Sequence, residues 1–307
     1  MTQQQTTHSG KTDAGSVSAP DFGAGRRAFL ATLGATTVGA TILGLPGAAN
    51  AQSVTNTDIL NFALNLEYLE AEFYLTAIGS SLSDADVDGN TTLGPLGPVS
   101  RGHRVPFADP VVSKFAAELA NHERTHVRYL RGLLGPSRVA RPAIDVNQAF
   151  TTAAVAAGLI SAGQTFDAYA NDANFLLASF IFEDVGVTAY KGAAPLLTGA
   201  AAISAAAGIL ATEAYHAGAI RVLCYERGLI TQTNRISDLR DRVSGVVEDD
   251  VGIGDQNSTI IVPVDVNATV FGRAPGQVLN IVYGAPGNPT SGLFFPSGTN
   301  GTFKTAG

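Results

Sequence analysis

The sequence ERTH at residues 123–126 returns in a related form, EAYH, at residues 213–216. Both are Glu-x-x-His motifs. Residues three apart lie on one face of an α-helix, about one turn from each other, so the carboxylate and the imidazole of each motif can reach one metal ion. One such motif alone is weak evidence, and its weight depends on acidic residues elsewhere in the chain.

Four acidic residues lie in the middle of apolar helix faces. Residues at spacings of three, four, seven and eleven share a helix face, and by that rule each of four predicted helices carries one acid at the centre of its apolar face. These acids are Glu67, Glu123, Glu183 and Glu213. A lone buried carboxylate costs on the order of several kcal/mol unless it is paired, protonated or bound to metal. Four of them in one core predict two divalent cations, whose positive charges balance the carboxylates.

The first helix offers two candidate ligands. Glu67 lies at the centre of the apolar stripe, and Glu70 lies toward one edge of it. We prefer Glu67, with Glu70 as the alternative, because of this central position and because a tyrosine follows both Glu67 and Glu183 at seven residues. These tyrosines, Tyr74 and Tyr190, are candidates for hydrogen bonding to the metal ligands; the alternative is ordinary core packing with a satisfied hydroxyl.

The spacing of apolar residues predicts a mainly α fold, a four-helix bundle. The second helix ends at Gly135 and the fourth at Gly228. Between the second and third helices a long connection at 135–171, with a short helix at about 147–160, allows one long crossover. The four helices are predicted at about residues 56–78, 110–134, 174–197 and 199–227.

The order Glu, Glu-x-x-His, Glu, Glu-x-x-His resembles the ferritin-like superfamily, closest to the bacterial group similar to plant desiccation-related proteins. The resemblance covers about residues 55–230. It implies a ferritin-like bundle that holds two Fe or two Mn ions on carboxylate and imidazole ligands, with Glu123 and Glu183 as the expected bridging carboxylates. The six ligands are then Glu67, Glu123, His126, Glu183, Glu213 and His216.

Residues 1–51 have the features of an export signal. RRAFL at residues 26–30 leads into an apolar run, and ANA at residues 49–51 ends it. A basic start, an apolar middle and an A-x-A end are typical of such signals, and the paired arginines resemble a twin-arginine signal. We expect cleavage after Ala51 and export by the twin-arginine machinery to the periplasm, the cell envelope or the medium. Retention as a membrane anchor is the alternative.

The rest of the chain divides into a bundle at residues 52–230 and a Gly/Pro-rich extension at 231–307. The extension is expected to pack on the bundle or on a neighbouring subunit, which would make the protein a homo-oligomer. Its first part, to about residue 256, is polar and is expected to wrap the surface. Short strands are predicted at about residues 260–262, 270–271 and 278–283.

Charge and cysteine content exclude several classes of function. The net charge is −7 and no basic stripe is visible, so no nucleic-acid partner is predicted. The one cysteine, Cys224, allows neither an internal disulfide nor a thiolate metal cluster. His122, with Glu118 one turn before it, is expected to form a solvated pair at the helix edge; the alternative is a pair behind the metal ligands or an entry site for metal. Asp184 is expected to be a charge on the helix surface.

Two hypotheses of function remain open. One is a di-metal oxidoreductase of the ferroxidase, peroxidase or catalase kind, with oxygen or peroxide as its substrate. The other is a non-catalytic protein of the cell envelope, metal-binding or structural and linked to desiccation or stress. The sequence therefore supports the site more strongly than any activity, and whether the chain is an enzyme stays open.

Overall fold

A computed structural model describes residues 54–245 and 250–305. The predicted export signal at residues 1–51 lies outside these ranges. In the part of the chain that the structure describes, no helix has both the length and the apolar character that a membrane crossing needs.

Helices dominate the described residues. They are α1 (Asn56–Ala77), α2 (Asp84–Val87), α3 (Pro110–Leu134), α4 (Gln148–Ala156), α5 (Asp172–Ala193), α6 (Ala200–Glu226), α7 (Ile230–Ser244) and α8 (Pro275–Tyr283). The bundle consists of α1, α3, α5 and α6, in which α1 packs mainly against α3, and α5 packs mainly against α6. The predicted mainly α, ferritin-like bundle is confirmed.

Local capping explains where the bundle helices begin. Thr55 and Asp58 form a capping box at the start of α1, each accepting a hydrogen bond from the backbone N–H of the other. Asp109 caps α3 by accepting from the N–H of Val111 at 2.7 Å, and Asn171 caps α5 in the same way. Such caps stabilise a helix by about 1 kcal/mol each. They also fix where each helix begins.

The two long connections of the bundle meet in a small parallel sheet. Strand β1 (Val99–Arg101) lies in the connection between α1 and α3, and β2 (Ile144–Val146) lies between α3 and α5. Val99 pairs with Ile144 in register. These connections lie against α1, whose residues from Ile59 to Ala77 are all buried, including those away from the predicted apolar stripe.

Glu72 shows the consequence of this cover. It lies well off the apolar stripe of α1, yet its side chain is fully buried. Arg101 and Arg141, one from each connection, form ion pairs with it at 2.6 and 2.5 Å. An acid on α1 can therefore be buried for structural reasons, with two guanidinium groups as partners.

The structure of the extension differs from the prediction of short strands. Residues 278–283 belong to helix α8, which begins at Pro275 and is capped by Gly284 in the left-handed region (φ 71°). An apolar run of this length suits a buried helix as well as a strand, and the flanking Pro and Gly favour the helix. The polar part of the extension holds another helix, α7 (Ile230–Ser244).

The described part of the extension lies on the bundle. Phe294 packs against Phe150 of α4 and Phe182 of α5, with ring centroids 5.3 and 4.8 Å apart. The backbone N–H of Asn300 donates to Oδ1 of Asn65 in α1 at 2.9 Å. These contacts join the extension to the apolar core around the first and third bundle helices.

Candidate metal centre

The bundle brings together all six residues that the sequence predicts as ligands. One carboxylate comes from α1 and one from α5, while α3 and α6 each supply a Glu-x-x-His pair on one face. None of the six residues is more than 9% exposed, and the most accessible of them is His126. They are Glu67, Glu123, His126, Glu183, Glu213 and His216.

A first group of potential ligands surrounds the imidazole of His126. Its Nδ1 lies 3.2 Å from an oxygen of Glu67, 3.1 Å from an oxygen of Glu123 and 3.5 Å from an oxygen of Glu213. The ligand atoms of these four residues all lie within 4.8 Å of one another. One metal ion could therefore be held by one nitrogen and several oxygens.

A second group surrounds His216. Its Nδ1 lies 3.3 Å from Oε1 of Glu123 and 3.2 Å from Oε2 of Glu183. Glu123 belongs to both groups and turns one oxygen toward each imidazole. The geometry thus gives the expected bridging position to Glu123, whereas Glu183 belongs to the second group alone.

Several polar atoms of the cluster lie close together without forming hydrogen bonds. Oε1 of Glu123, Oε2 of Glu183, both oxygens of Glu213 and Nδ1 of His216 are buried and make no hydrogen bond. A buried polar atom without a partner costs about 1–3 kcal/mol. Cations placed between these atoms would satisfy them, and a set of carboxylates and imidazoles without sulfur suits Fe or Mn. The residues present therefore fit a two-metal site.

The titration of the acids reflects their burial. Burial raises the pKa of Glu67 to about 7, against the opposing effect of His126. Burial and the neighbouring carboxylates hold the pKa of Glu213 well above its usual range. Burial alone would also raise the pKa of Glu123, but the two imidazoles beside it lower it. Unequal proton sharing of this kind is typical of carboxylates that meet in one site.

The two imidazoles carry the complementary shifts. Burial alone would lower their pKa values, but the carboxylates around them raise the pKa of His126 to about 11 and that of His216 to about 10. Protons thus take the place of cations when no metal is bound, and a metal ion must displace them.

The two candidate tyrosines bind ligands across the bundle. The hydroxyl of Tyr74 on α1 donates to Oε1 of Glu183 on α5 at 2.6 Å. In the reverse direction, the hydroxyl of Tyr190 on α5 donates to Oε1 of Glu67 on α1 at 2.5 Å. Each tyrosine therefore fixes one carboxylate of the opposite helix, and hydrogen bonding to the predicted ligands is the role that the structure shows.

Glu70 is buried close to the cluster but lies outside both groups of potential ligands. Burial, followed by the charges of nearby carboxylates, holds its pKa well above the usual range. A Cβ atom on Gly186 of α5 would lie 2.3 Å from Oε2 of Glu213 and 3.5 Å from Oε1 of Glu70. The absence of a side chain at Gly186 leaves room for both acids, and this placement favours Glu67 over Glu70 as the ligand from α1.

His122, whose role the sequence leaves open, lies beside a predicted ligand. Its Nδ1 lies 2.9 Å from Nε2 of His216, and the two ring planes differ by 10°. This contact of the half-buried His122 favours a position behind a predicted ligand over a solvated pair at the helix edge. This contact joins α3 to α6, and no local sequence pattern indicates a pairing between two helices.

Asp184 corrects an expectation from the sequence, because it is buried rather than exposed at the helix surface. It binds Arg221 at 3.1 Å and Arg240 at 3.0 Å. It belongs to a cluster that we call the arginine network. The members of this network, all buried, are Asp184, Asp250, Arg221, Arg240 and Arg273.

Comparisons with known proteins agree with this architecture. The sequence profile of a family described as Ferritin-like domain matches residues 55–226, which contain all six predicted ligands. A desiccation-related protein of Craterostigma plantagineum is 30% identical over 268 residues, covering 80% of this chain and 83% of the relative. A ferritin-like catalase of Nesocodon mauritianus is 29% identical over 272 residues, covering 82% and 86%. No solved structure gives a significant match.

Proposed function

The chain belongs to the ferritin-like domain family, and on that premise we propose that its buried cluster holds two iron or two manganese ions and disproportionates hydrogen peroxide. The main support for this proposal is the set of buried carboxylate and imidazole atoms without hydrogen bonds, which come from α3, α5 and α6. Peroxide is preferred as the substrate because a relative covered over most of its length is named a ferritin-like catalase.

The two ions would supply a two-electron couple, so that one peroxide is oxidised to dioxygen and two protons while a second peroxide takes up two protons and two electrons to give two waters. The chain itself contributes charge balance, because its four carboxylates match two divalent ions. Tyr74 and Tyr190 contribute orientation, since their hydroxyls hold one oxygen of Glu183 and one of Glu67.

Proton storage is a further contribution of the chain. The reduction of peroxide to water consumes protons, and its oxidation releases them. Burial and the charges of nearby carboxylates raise the pKa of Glu70 well above its usual range. A carboxyl group with a raised pKa can hold a proton beside the reacting molecule, and Glu70 is well placed for this because it lies outside both groups of ligands.

Peroxide turnover by the full chain loaded with Mn(II) or Fe(II) tests this proposal. An oxygen electrode should record one dioxygen for every two peroxides consumed. Glu123→Gln should abolish turnover, because Glu123 belongs to both groups of ligands. Glu118→Gln is the matched control, since this residue lies exposed on the same helix and should leave the rate unchanged. A loaded wild-type protein without turnover would refute the catalytic proposal.

A second candidate function is a non-catalytic role, with the metals as structural elements. The relative named as desiccation-related favours it. In that case the protein would bind two ions per chain, unfold at a higher temperature with metal than without, and leave peroxide intact.

We also propose that the protein is exported by the twin-arginine route and acts in the periplasm, in the cell envelope or outside the cell. The pattern RRAFL at residues 26–30 and the ANA end at residues 49–51 support this. N-terminal sequencing of the protein from its own host should find Gln52 as the first residue. A mature chain that still begins at Met1 would contradict processing.

A further inference from the structure

The contact between His122 and His216 distinguishes the two halves of the cluster. We propose that His122 is a positioning residue, which holds His216 with Nδ1 turned toward Glu123 and Glu183. One of the two metal positions would then depend on His122, and the other would not. This inference rests on the proposed two-metal site and adds a functional difference between its two positions.

The two ring nitrogens of His216 face different partners. Nε2 lies 2.9 Å from Nδ1 of His122, on the neighbouring helix α3. Nδ1 lies 3.3 and 3.2 Å from oxygens of Glu123 and Glu183, and makes no hydrogen bond with either of them. The inner nitrogen is therefore directed at the carboxylates and remains available, while the outer nitrogen is held.

Metal binding at Nδ1 fixes the positions of the protons. A nitrogen that binds a metal ion carries no proton, so a neutral His216 keeps its proton on Nε2. This N–H can donate to Nδ1 of His122, which then carries its own proton on Nε2. The hydrogen bond selects one tautomer and one orientation of the His216 ring, which is how residues behind a metal ligand usually act.

The other half of the site lacks an equivalent contact. Nδ1 of His126 faces the carboxylates, and among the described residues Nε2 has no hydrogen-bond partner. Thr212 precedes Glu213 as His122 precedes Glu123, but the hydroxyl of Thr212 donates to the carbonyl of Gly208 in its own helix at 3.2 Å. The approximate symmetry of the two motifs therefore breaks at this position.

Equilibrium dialysis of the full chain against Mn(II) separates the two positions. Wild-type protein should bind two ions. His122→Leu should bind one of them about 10–100-fold more weakly, as is usual when the residue behind a metal ligand is lost, and should bind the other with unchanged affinity. Electron paramagnetic resonance should then show isolated Mn(II) instead of a coupled pair at intermediate concentrations. Thr212→Val is the matched control and should behave as wild type.

His122→Asn distinguishes positioning from mere packing, because Oδ1 of asparagine can accept a hydrogen bond near the place of the histidine Nδ1. It should recover most of the affinity that His122→Leu loses. Equal affinity for both ions in His122→Leu, or failure of His122→Asn to recover, would overturn the inference while leaving the two-metal site intact. Wild-type protein that binds no Mn(II) would overturn the two-metal site itself.

Nitrogen-15 NMR of wild-type protein loaded with zinc needs no substitution and therefore does not depend on the folding of a variant. His216 should show a metal-bound Nδ1 and a protonated Nε2 in a hydrogen bond. A proton on Nδ1 of His216 would overturn the inference.

Discussion

Two buried clusters of charge lie next to each other on α5, and they differ in how their charges are balanced. Glu183 belongs to the candidate metal centre, and the following residue, Asp184, belongs to the arginine network. In the network each carboxylate has guanidinium partners at 2.8–3.1 Å. Among the described residues, the four acids of the metal centre form ion pairs only with histidines.

The network also satisfies its surplus positive charge. Arg221 donates to backbone carbonyls of the extension, including those of Gly252 and Ile260 at 3.1 Å. Arg240 stacks on Phe180 with 4.7 Å between its guanidinium carbon and the ring centroid. The network therefore holds the extension on the bundle with partners from the chain itself. In the metal centre, five carboxylate and imidazole atoms are buried without a hydrogen bond, whereas both carboxylates of the network are paired with guanidinium groups. This difference in how the carboxylates are balanced separates a structural cluster from one suited to a cation.

Metal binding should change the stability of one cluster and not of the other. At concentrations of Mn(II) 100 times the dissociation constant, each bound ion should add about 2.7 kcal/mol to the free energy of unfolding. Urea unfolding with and without metal measures this. Glu123→Gln should lose the increment, because its side chain serves both positions. A Glu123→Gln protein that gains as much stability from Mn(II) as wild type would show that the ions do not bind at this cluster.

Removing a carboxylate should reduce the stability of the metal-free protein much more in the arginine network than in the metal centre. Asp184→Ala leaves two buried guanidinium groups without this partner and should cost about 3–5 kcal/mol of stability. Glu213→Gln should change the stability of the metal-free protein less, because burial and the neighbouring carboxylates raise the pKa of Glu213 and favour its uncharged form, which glutamine resembles. Chemical denaturation of both variants without metal tests this. Equal losses would show that the acids of the metal centre are also structural.

The pH dependence of metal binding should reveal the protons on the two imidazoles. The pKa values of about 11 for His126 and about 10 for His216 lie above the usual range. Each ion must therefore displace at least one proton from neutral pH up to about pH 10, and the raised pKa values of Glu67 and Glu213 add to this at the position beside His126. The apparent affinity should rise at least about tenfold per pH unit. Mn(II) titrations at several pH values test this. An affinity independent of pH would contradict the protonated state of the metal-free site.

The stability of the metal-free protein should depend on pH in the opposite direction from the metal affinity. Because the pKa values of both imidazoles are raised on folding, their contribution to stability is fully present below the unfolded value near 6.5 and is lost as pH rises through about 10 to 11. Urea unfolding of the metal-free protein at alkaline pH should therefore show a loss of stability that bound metal removes.

The close approach of α5 and α6 gives the smallest predicted effect. Gly186→Ala should displace Glu213, since the new Cβ would lie 2.3 Å from Oε2, and should weaken metal binding about tenfold, or about 1.4 kcal/mol. Gly208→Ala is the control, because no atom lies within 4 Å of its Cβ. Alanine in a helix interior is favoured by about 1 kcal/mol over glycine, so Gly208→Ala should gain stability and keep its metal. Unchanged metal affinity in Gly186→Ala would contradict the close packing of Gly186 against Glu213.

The sequence predicts what depends on local spacing. The bundle helices follow from apolar periodicity and from caps such as Thr55 and Asp109, and the Glu-x-x-His pairs follow from the geometry of one helical turn. The buried position of Glu67 follows from the same rule. The sequence does not predict burial by distant segments, which is why it predicts a surface position for Asp184 although arginines from α6 and α7 cover it.

Contacts between helices are a second feature that the sequence does not predict. The pairing of His122 with His216 depends on how α3 and α6 are rotated against each other, and no periodicity in either helix indicates it. Helix α8 shows a third limit to prediction, because a short apolar run by itself fits a helix or a strand until its packing against α7 and α5 is known.

Elemental analysis of the full chain, purified from its own host without added metal, tests whether the buried cluster holds two ions. Wild-type protein should carry close to two ions of iron or manganese per chain and Glu123→Gln should lose both, while a folded Asp184→Ala protein should keep them. A wild-type protein that carries no more than a trace of either metal would contradict the two-metal centre.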